Sequence, residues 1–371
     1  MTNIMNLITA NDCKIMDYIR TYNETKDAPP HREIVIYGAA LGAKRVIAFL
    51  EKNNIYPKHV VVDEKYYVPN QFLGNYEIER LDKVLGNKDE VFDVIIAIGR
   101  YLPEKFEKYK CSIGQIINYE IFYGYLEMGD VSTVSRAYYE ANEEFLGDVY
   151  DSLGDELSRK SMISYLNQRI SGESHYSEGL VQENQYFDTN LIDFKKQSLF
   201  VDCGAFDGHD SKSFFELTDD KSMAVVFEPE KENMKNVKTN LQKYGERVSC
   251  IEKGALDQDK IVYFNGGDGE ASAVSLSGDE KISCTTLDSV LLDSDRKVSF
   301  IKMDIEGSEL KALKGASEII KRDKPVLAIC VYHRPEDIFS IPMYIRSLSS
   351  EYKFYMRRYD SHMIDTVLYA I

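Results

Sequence analysis

No run of apolar residues in this chain of 371 approaches the roughly 20 needed to cross a bilayer, so no membrane span is expected. Positive charge is scarce: 45 Lys and Arg stand against 61 Asp and Glu, a formal net charge of −16. That deficit argues against a grip on nucleic acid or anionic lipid, because such binding relies on Lys and Arg neutralising phosphates. Small molecules and neutral substrates are the better-matched partners. Paired cysteines are missing as well. Cys13, Cys111, Cys203, Cys250, Cys284 and Cys330 are scattered without a C-x-x-C motif, several of them in apolar strand-like runs, and read as reduced core thiols rather than zinc ligands or disulfides. The opening MTNIMNLITANDC lacks a basic stretch followed by an apolar one, so a cytoplasmic location is expected. Only 9 Pro and 22 Gly, with 44% hydrophobic and 29% charged residues, exclude fibrous and disordered classes and leave a globular chain of more than one domain.

What is present is strand–helix alternation, twice. EIVIYG (33–38), a helix through Lys44–Asn53, HVVVD (59–63) and DVIIAIG (93–99) form a βαβ pattern and predict a parallel sheet. From about Glu127 to Arg169, Met162, Tyr165, Leu166 and Ile170 recur at helical spacing, which predicts a helical connector. Alternation returns with LFVDCG, MAVVFEP, SCIEKGAL, VSFIKMDIEG and PVLAICVYH. The tail runs Tyr352–Tyr359 and Ile364–Ile371 are spaced to pair as a hairpin. The expected organisation is α/β: a smaller Rossmann-like domain over 1–125, a helical connector over 126–184 and a second α/β domain over 185–371.

The strand LFVD runs into the turn CGAFDGHDS and then a helix, the place where α/β sheets bind ligands. Against the dinucleotide fingerprint G-x-G-x-x-G, the second and third glycines are replaced by Phe206 and His209, so pyrophosphate cannot approach and NAD is disfavoured here. The pattern is instead D-x-G-x-x-x-G, with Asp202 at the strand end and Gly204 and Gly208 opening the turn. It suits a ligand carrying an amino-acid end and a ribose. The next strand ends at Glu228, 24 residues past Gly204, where a carboxylate can accept both hydroxyls of a ribose.

VDCGAFDGHDS, FEPEKENMKNVKTN, CTTLD, FIKMDIEGSELKALKGA and VYH, in this order, resemble the FkbM-type family of S-adenosylmethionine-dependent methyltransferases over about Gln185–Ile371, the run Asp304–Ala316 being the most specific. The resemblance implies a class I, Rossmann-like methyltransferase sheet of seven strands with the tail hairpin as its reversed edge. It implies S-adenosylmethionine over the carboxyl ends of the strands, leaving as S-adenosylhomocysteine, with Asp202, Gly204, Ala205 and Gly208 around its methionine and ribose and Glu228 on the ribose hydroxyls. Asp207 and Asp304 would lie nearby. Gln182–Phe194 resembles an entry segment of the same family in which aromatic residues cover the cofactor, and Tyr186 is the contact expected there.

Methyl transfer from a sulfonium is an in-line displacement, so the protein supplies alignment and, for a hydroxyl acceptor, a place for the proton. In VSFIKMDIEG, period-two alternation places Asp304 and Glu306 on one side at the strand end. The neighbouring strand ends at His333, whose ordinary pKa of about 6.5 leaves a neutral imidazole able to accept a proton. His333 is therefore the expected general base, Glu306 the residue orienting substrate, and Asp304 a further catalytic candidate. Carboxylates this close could instead hold Mg²⁺, but no D-x-D run or histidine cluster supports it, and no metal is expected.

In the first α/β part the glycine-rich turn reads Gly38, Ala40 and Ala43 at the fingerprint positions, with Asp63 25 residues past Gly38. Three readings stay open for it: a structural or oligomerising domain, a module recognising a nucleotide-linked or glycan substrate, and a working dinucleotide site. For the whole chain the expected function is S-adenosylmethionine-dependent O-methylation of a sugar, glycan or nucleotide-linked sugar, with an amine on a glycan decoration as the close variant. The alternatives are a non-catalytic scaffold binding a nucleotide or partner, and an NAD-dependent sugar-modifying enzyme using the first domain. Self-association into a homo-oligomer is left open.

Overall fold

A computed structural model describes residues 2–25, 31–98, 103–118, 133–264, 274–275, 280–361 and 364–371. The boundary expected at 125–126 lies outside them. Among these residues, β1 (Glu33–Tyr37), β2 (His59–Val62), β3 (Phe72–Leu73), β4 (Tyr76–Arg80), β5 (Phe92–Ile96) and β6 (Ile113–Asn118) form one sheet in the order β3-β4-β2-β1-β5-β6, parallel except for β3 against β4. The runs EIVIY, HVVV and FDVII are almost wholly apolar because parallel strands are covered on both faces. The helices of this part are α1 (Ile15–Thr25), α2 (Leu41–Lys52), α3 (Leu81–Val84) and α4 (Pro103–Phe106).

The helical stretch that follows comprises α5 (Arg136–Glu140), α6 (Glu143–Ser152) and α7 (Glu156–Ser171). The apolar spacing predicts one buried face for α7, but the structure also buries the polar residues Ser158, Ser161, Ser164, Asn167, Gln168 and Arg169. Several of them bond across elements, although Ser161 Oγ and the Nε and Nη2 of Arg169 find no partner among the described residues. Asn167 Oδ1 accepts the backbone N–H groups of Thr9 and Ala10 at 2.8 and 2.7 Å, and Arg169 donates to the Tyr332 carbonyl at 2.7 Å. Asp155 caps the helix at Ser158 N, 2.7 Å, and pairs with the buried Arg357 at 2.7 Å. Thus α7 ties the first residues of the chain to the last strands.

The second large sheet contains β7 (Leu199–Cys203), β8 (Met223–Phe227) and β9 (Val248–Ile251), and a small sheet contains β10 (Gly254–Ala255), β11 (Lys260–Phe264), β12 (Val274–Ser275) and β13 (Glu280–Thr285). SCIEKGAL therefore does not make one strand: it breaks at Glu252–Lys253, and Gly254–Ala255 pairs with β13 instead. The large sheet is completed by β14 (Phe300–Met303), β15 (Val326–Cys330), β16 (Phe354–Arg358) and β17 (Thr366–Ala370), in the order β16-β17-β15-β14-β7-β8-β9. Its strands run parallel except β17, antiparallel to both neighbours, so the tail forms the expected hairpin. It is flanked by α8 (His209–Leu217), α9 (Lys231–Asn240), α10 (Leu287–Leu291), α11 (Glu309–Lys314), α12 (Ser317–Asp323) and α13 (Asp337–Leu348). Phe200 stacks on Phe214 and Phe300 with ring centroids 4.9 and 5.0 Å apart, filling the centre of the core. Strand order reverses between β14 and β7, and in the first sheet between β1 and β5. Such reversals open a crevice at the carboxyl ends of the strands.

Candidate active site over the seven-stranded sheet

At the carboxyl end of β7 the chain turns sharply through Gly204, at φ +81°, and Gly208, at φ +85°. A Cβ on Gly204 would sit 1.8 Å from the Asp304 carbonyl, so the first turn lies directly against the chain leaving β14. Between the glycines, Ala205 is buried, while Phe206 is held at φ +52° with 45% of its surface exposed. That conformation is costly for a bulky side chain and marks the turn as over-determined by its surroundings. Asp207 accepts the His209 N–H at 2.9 Å and so starts α8. Glu228, at the end of β8, accepts Phe206 N–H and Glu230 N–H, each at 2.9 Å. Burial pushes its carboxyl above the usual range. Each oxygen retains a lone pair, and the group is fixed in orientation, as a partner for a vicinal diol must be.

Asp202 lies deeper than its place in the motif suggests. It is fully buried, accepts from Ser211 Oγ at 2.7 Å and faces Lys302 Nζ at 3.4 Å. Sequence reasoning missed Lys302, although a lysine inside the apolar run VSFIKM was a signal. Its ammonium donates to the Gly204 carbonyl at 2.7 Å and pairs with Asp210 at 3.1 Å. Burial opposes its charge, but Asp202, Asp210 and Asp304 together hold it firmly cationic. Lys302 therefore locks the glycine turn, and Asp202 neutralises Lys302. Tyr186 is also interior: its hydroxyl donates to Asp304 Oδ2 at 2.7 Å, which makes it a support for Asp304.

Asp304 and Glu306 do not stand on a strand. β14 ends at Met303, and Glu306 sits in the left-handed region at φ +53°, followed by Gly307 at φ +83°. The turn nevertheless brings both to one imidazole: His333 Nε2 is 3.4 Å from Asp304 Oδ1 and 3.3 Å from Glu306 Oε2, while Nδ1 is 3.0 Å from Glu309 Oε1. Glu309, another residue missed from sequence, is wholly buried, and among the described residues its Oε2 has no hydrogen-bond partner. The expectation of a neutral His333 meets a physical obstacle here. Burial disfavours the imidazolium, but Glu309, Glu306 and Asp304 outweigh it and raise the pKa well above 6.5. The surrounding carboxylates thus favour the imidazolium form of His333. Burial pushes the Asp304 carboxyl up, yet His333 and Lys302 outweigh that and hold it below its usual value; the Glu306 carboxyl is raised by burial. One donor atom each from Asp304, Glu309 and His333 lies within 4.8 Å of the others, a group able to hold a metal ion whose members come from two stretches of the chain that motif reading did not join. Glu306, with 32% of its side chain exposed, is the member of the cluster most open to solvent.

Five carboxylates, from Asp202, Asp210, Asp304, Glu306 and Glu309, thus surround two basic groups, Lys302 and His333. The surplus of negative charge favours a positively charged ligand.

Residues 202–359 match the family model described as the methyltransferase FkbM domain. A crystal structure of methyltransferase FkbM from Methylobacillus flagellatus KT superposes with a TM-score of 0.75 at 21% identity, covering 96% of this chain and 99% of that one. This likeness is one of fold, and the seven-stranded sheet is the class I, Rossmann-like methyltransferase sheet. A methyltransferase from Geobacter sulfurreducens overlaps at a TM-score of 0.31 and 13% identity, over 61% of this chain and 95% of that one. Aeropyrum pernix fibrillarin in complex with natively bound S-adenosyl-L-methionine overlaps at 0.32 and 9%, over 48% and 69%. Both likenesses are too slight to carry weight. No curated protein matches the sequence.

Proposed function

With an FkbM methyltransferase domain matched over residues 202–359, we propose that the chain is an S-adenosylmethionine-dependent methyltransferase whose acceptor is a hydroxyl on a sugar, glycan or nucleotide-linked sugar. The observation that carries the cofactor reading is the glycine turn at the strand-order reversal, closed against Asp304 and flanked by the oriented Glu228 carboxyl. The residues present fit this cofactor: a carboxyl suited to the ribose diol stands beside the turn, and the surplus negative charge complements a sulfonium and an ammonium group. When bound, the cofactor supplies a methyl group activated on sulfur. The chain supplies the rest. Glu228 is placed to hold the ribose hydroxyls, and Lys302 keeps the Gly204 turn closed.

For a hydroxyl acceptor the proton needs a destination. His333, whose imidazolium form is favoured by the carboxylates around it, is poorly placed to take it; Glu306 is the carboxylate beside it most open to solvent, and burial raises its pKa. Glu306 accepts the acceptor's proton, and the His333 imidazole, with Nδ1 3.0 Å from Glu309 Oε1, offsets the charge of the carboxylates around it in a coupled cluster. The sugar or glycan class rests on the family resemblance and on the net negative charge, which disfavours anionic polymers.

Calorimetric titration of the intact protein with S-adenosylhomocysteine tests the reading without needing the acceptor. One-to-one binding that weakens at least tenfold in Glu228→Ala is expected. Absence of binding by S-adenosylhomocysteine, or heat from NADH alone, would overturn it.

A further inference from the structure

The first sheet has a crevice of its own, outside the region matched as a methyltransferase domain. At the reversal between β1 and β5 lies a cavity of about 280 Å³ whose walls include Gly38, Ala40, Val62, Asp63, Tyr66 and Ile78. Its position, over the carboxyl ends of parallel strands at a topological switch point, is where open α/β sheets bind ligands.

The charged group lining this space is Asp63, which follows β2, with Gln71 and the Tyr37 hydroxyl as further polar groups of the lining. Asp63 Oδ2 accepts from Tyr37 Oη at 3.0 Å and pairs with Lys105 Nζ; among the described residues no hydrogen bond reaches Oδ1. An acid at this strand end, anchored through one oxygen and open through the other, is built to accept a ribose diol. Val62 and Ile78 give the cavity an apolar wall, and Tyr66, 64% exposed at its mouth, offers a ring for a base to stack on. Ala40 begins α2 without a side-chain cap, and the first turn of α2 carries no acidic side chain that would oppose a phosphate.

The cavity's size and the turn's chemistry also limit the ligand. Pockets for small molecules run to roughly 300–1,000 Å³, and this one has room for one nucleoside. Ala40 places a methyl group where a dinucleotide fold needs its second glycine.

We propose that this crevice is a second small-molecule site that binds the nucleoside of a mononucleotide or nucleotide-linked sugar, with the ribose on Asp63 and the base against Tyr66. Its existence does not depend on the methyltransferase reading, because no residue is shared between the two crevices.

The test is calorimetry on the full chain saturated with S-adenosylhomocysteine, titrated separately with UDP and with ADP. One of the two is expected to bind at one to one, and the choice distinguishes a pyrimidine from a purine source. Asp63→Ala should weaken that binding at least tenfold, as should Ala40→Phe, which fills the cavity without removing a charge. Glu228→Ala should leave it unchanged, and 2′,3′-dideoxy nucleotides should bind more weakly than the ribose forms. Circular dichroism and thermal unfolding unchanged from the parent protein would verify that the Asp63→Ala and Ala40→Phe proteins are folded, whether or not S-adenosylhomocysteine binds. No binding of either nucleotide, or binding indifferent to both Asp63 and Ala40, would overturn the proposal.

Discussion

The two crevices begin alike, with a parallel strand, a glycine at positive φ and an acid at the end of the next strand, and then diverge in what lies beneath the turn. Under Gly204 is a buried lysine tied to two aspartates, and a second chain segment presses within Cβ distance of the turn. Beside Gly38 there is a mostly apolar cavity, and the lysine here, Lys105, pairs with Asp63 and is 23% exposed. One turn is locked by charge in the interior; the other leaves volume open. Charge buried in low dielectric is expensive to leave unpaired, so the first turn should tolerate change less than the second, where a Cβ on Gly38 would still meet Ile98 and the Ala97 carbonyl at 2.7 and 2.9 Å.

The sharpest contrast is between the glycines. Gly204→Ala should cost about 4 kcal/mol or more and abolish S-adenosylhomocysteine binding, because its Cβ would meet backbone 1.8 Å away in a left-handed conformation. Gly38→Ala, at φ +121° with its nearest backbone atom 2.9 Å away, should cost about 1–3 kcal/mol. Thermal unfolding ranks the two, and the reverse order would break the comparison. Next comes the lysine itself. Lys302→Met leaves Asp202 buried beside Asp210 without its cation and should cost about 3–5 kcal/mol in urea unfolding.

Within the charged crevice, Glu306→Gln should slow methyl transfer about 10²-fold or more while S-adenosylhomocysteine binds as before, since only proton acceptance is lost. An unchanged rate in single-turnover assays would remove Glu306 from the chemistry. Stability should also carry the cluster's signature against pH. The His333 contribution is complete below the unfolded pKa of 6.5 and fades as pH rises through its higher folded value. Asp337, raised to about 7 by burial and Glu309, works in the same direction, its contribution lost as pH climbs from 3.8 through about 7. Denaturation between pH 5 and 9 should show a decline of about 1–2 kcal/mol that His333→Gln and Asp337→Asn each flatten. The smallest effect belongs to the open crevice: Lys105→Met should cost about 1 kcal/mol, because its partner Asp63 keeps the Tyr37 hydroxyl.

Strands such as EIVIY and LFVDC were legible because uninterrupted apolar runs between turn residues have few other uses, and the tail hairpin because a short polar turn separated two β-rich runs. SCIEKGAL was misleading: its apolar pattern continues across Lys253, and only the partners available on each side send the halves to different sheets. The polar burial of α7 was likewise invisible, since Asn167 and Arg169 find their partners more than 150 residues away.

Sequence alone determined the α/β class, the two glycine turns and the acids that follow them, because these depend on local periodicity and on conformations open to few residues other than glycine. Tertiary structure decided which acids are interior and which face a crevice. Asp202 and Tyr186 became supports, Lys302 and Glu309 joined the site, and His333 came to favour its imidazolium form. Burial and through-space charge set all of these, and both depend on neighbours brought together from distant segments of the chain.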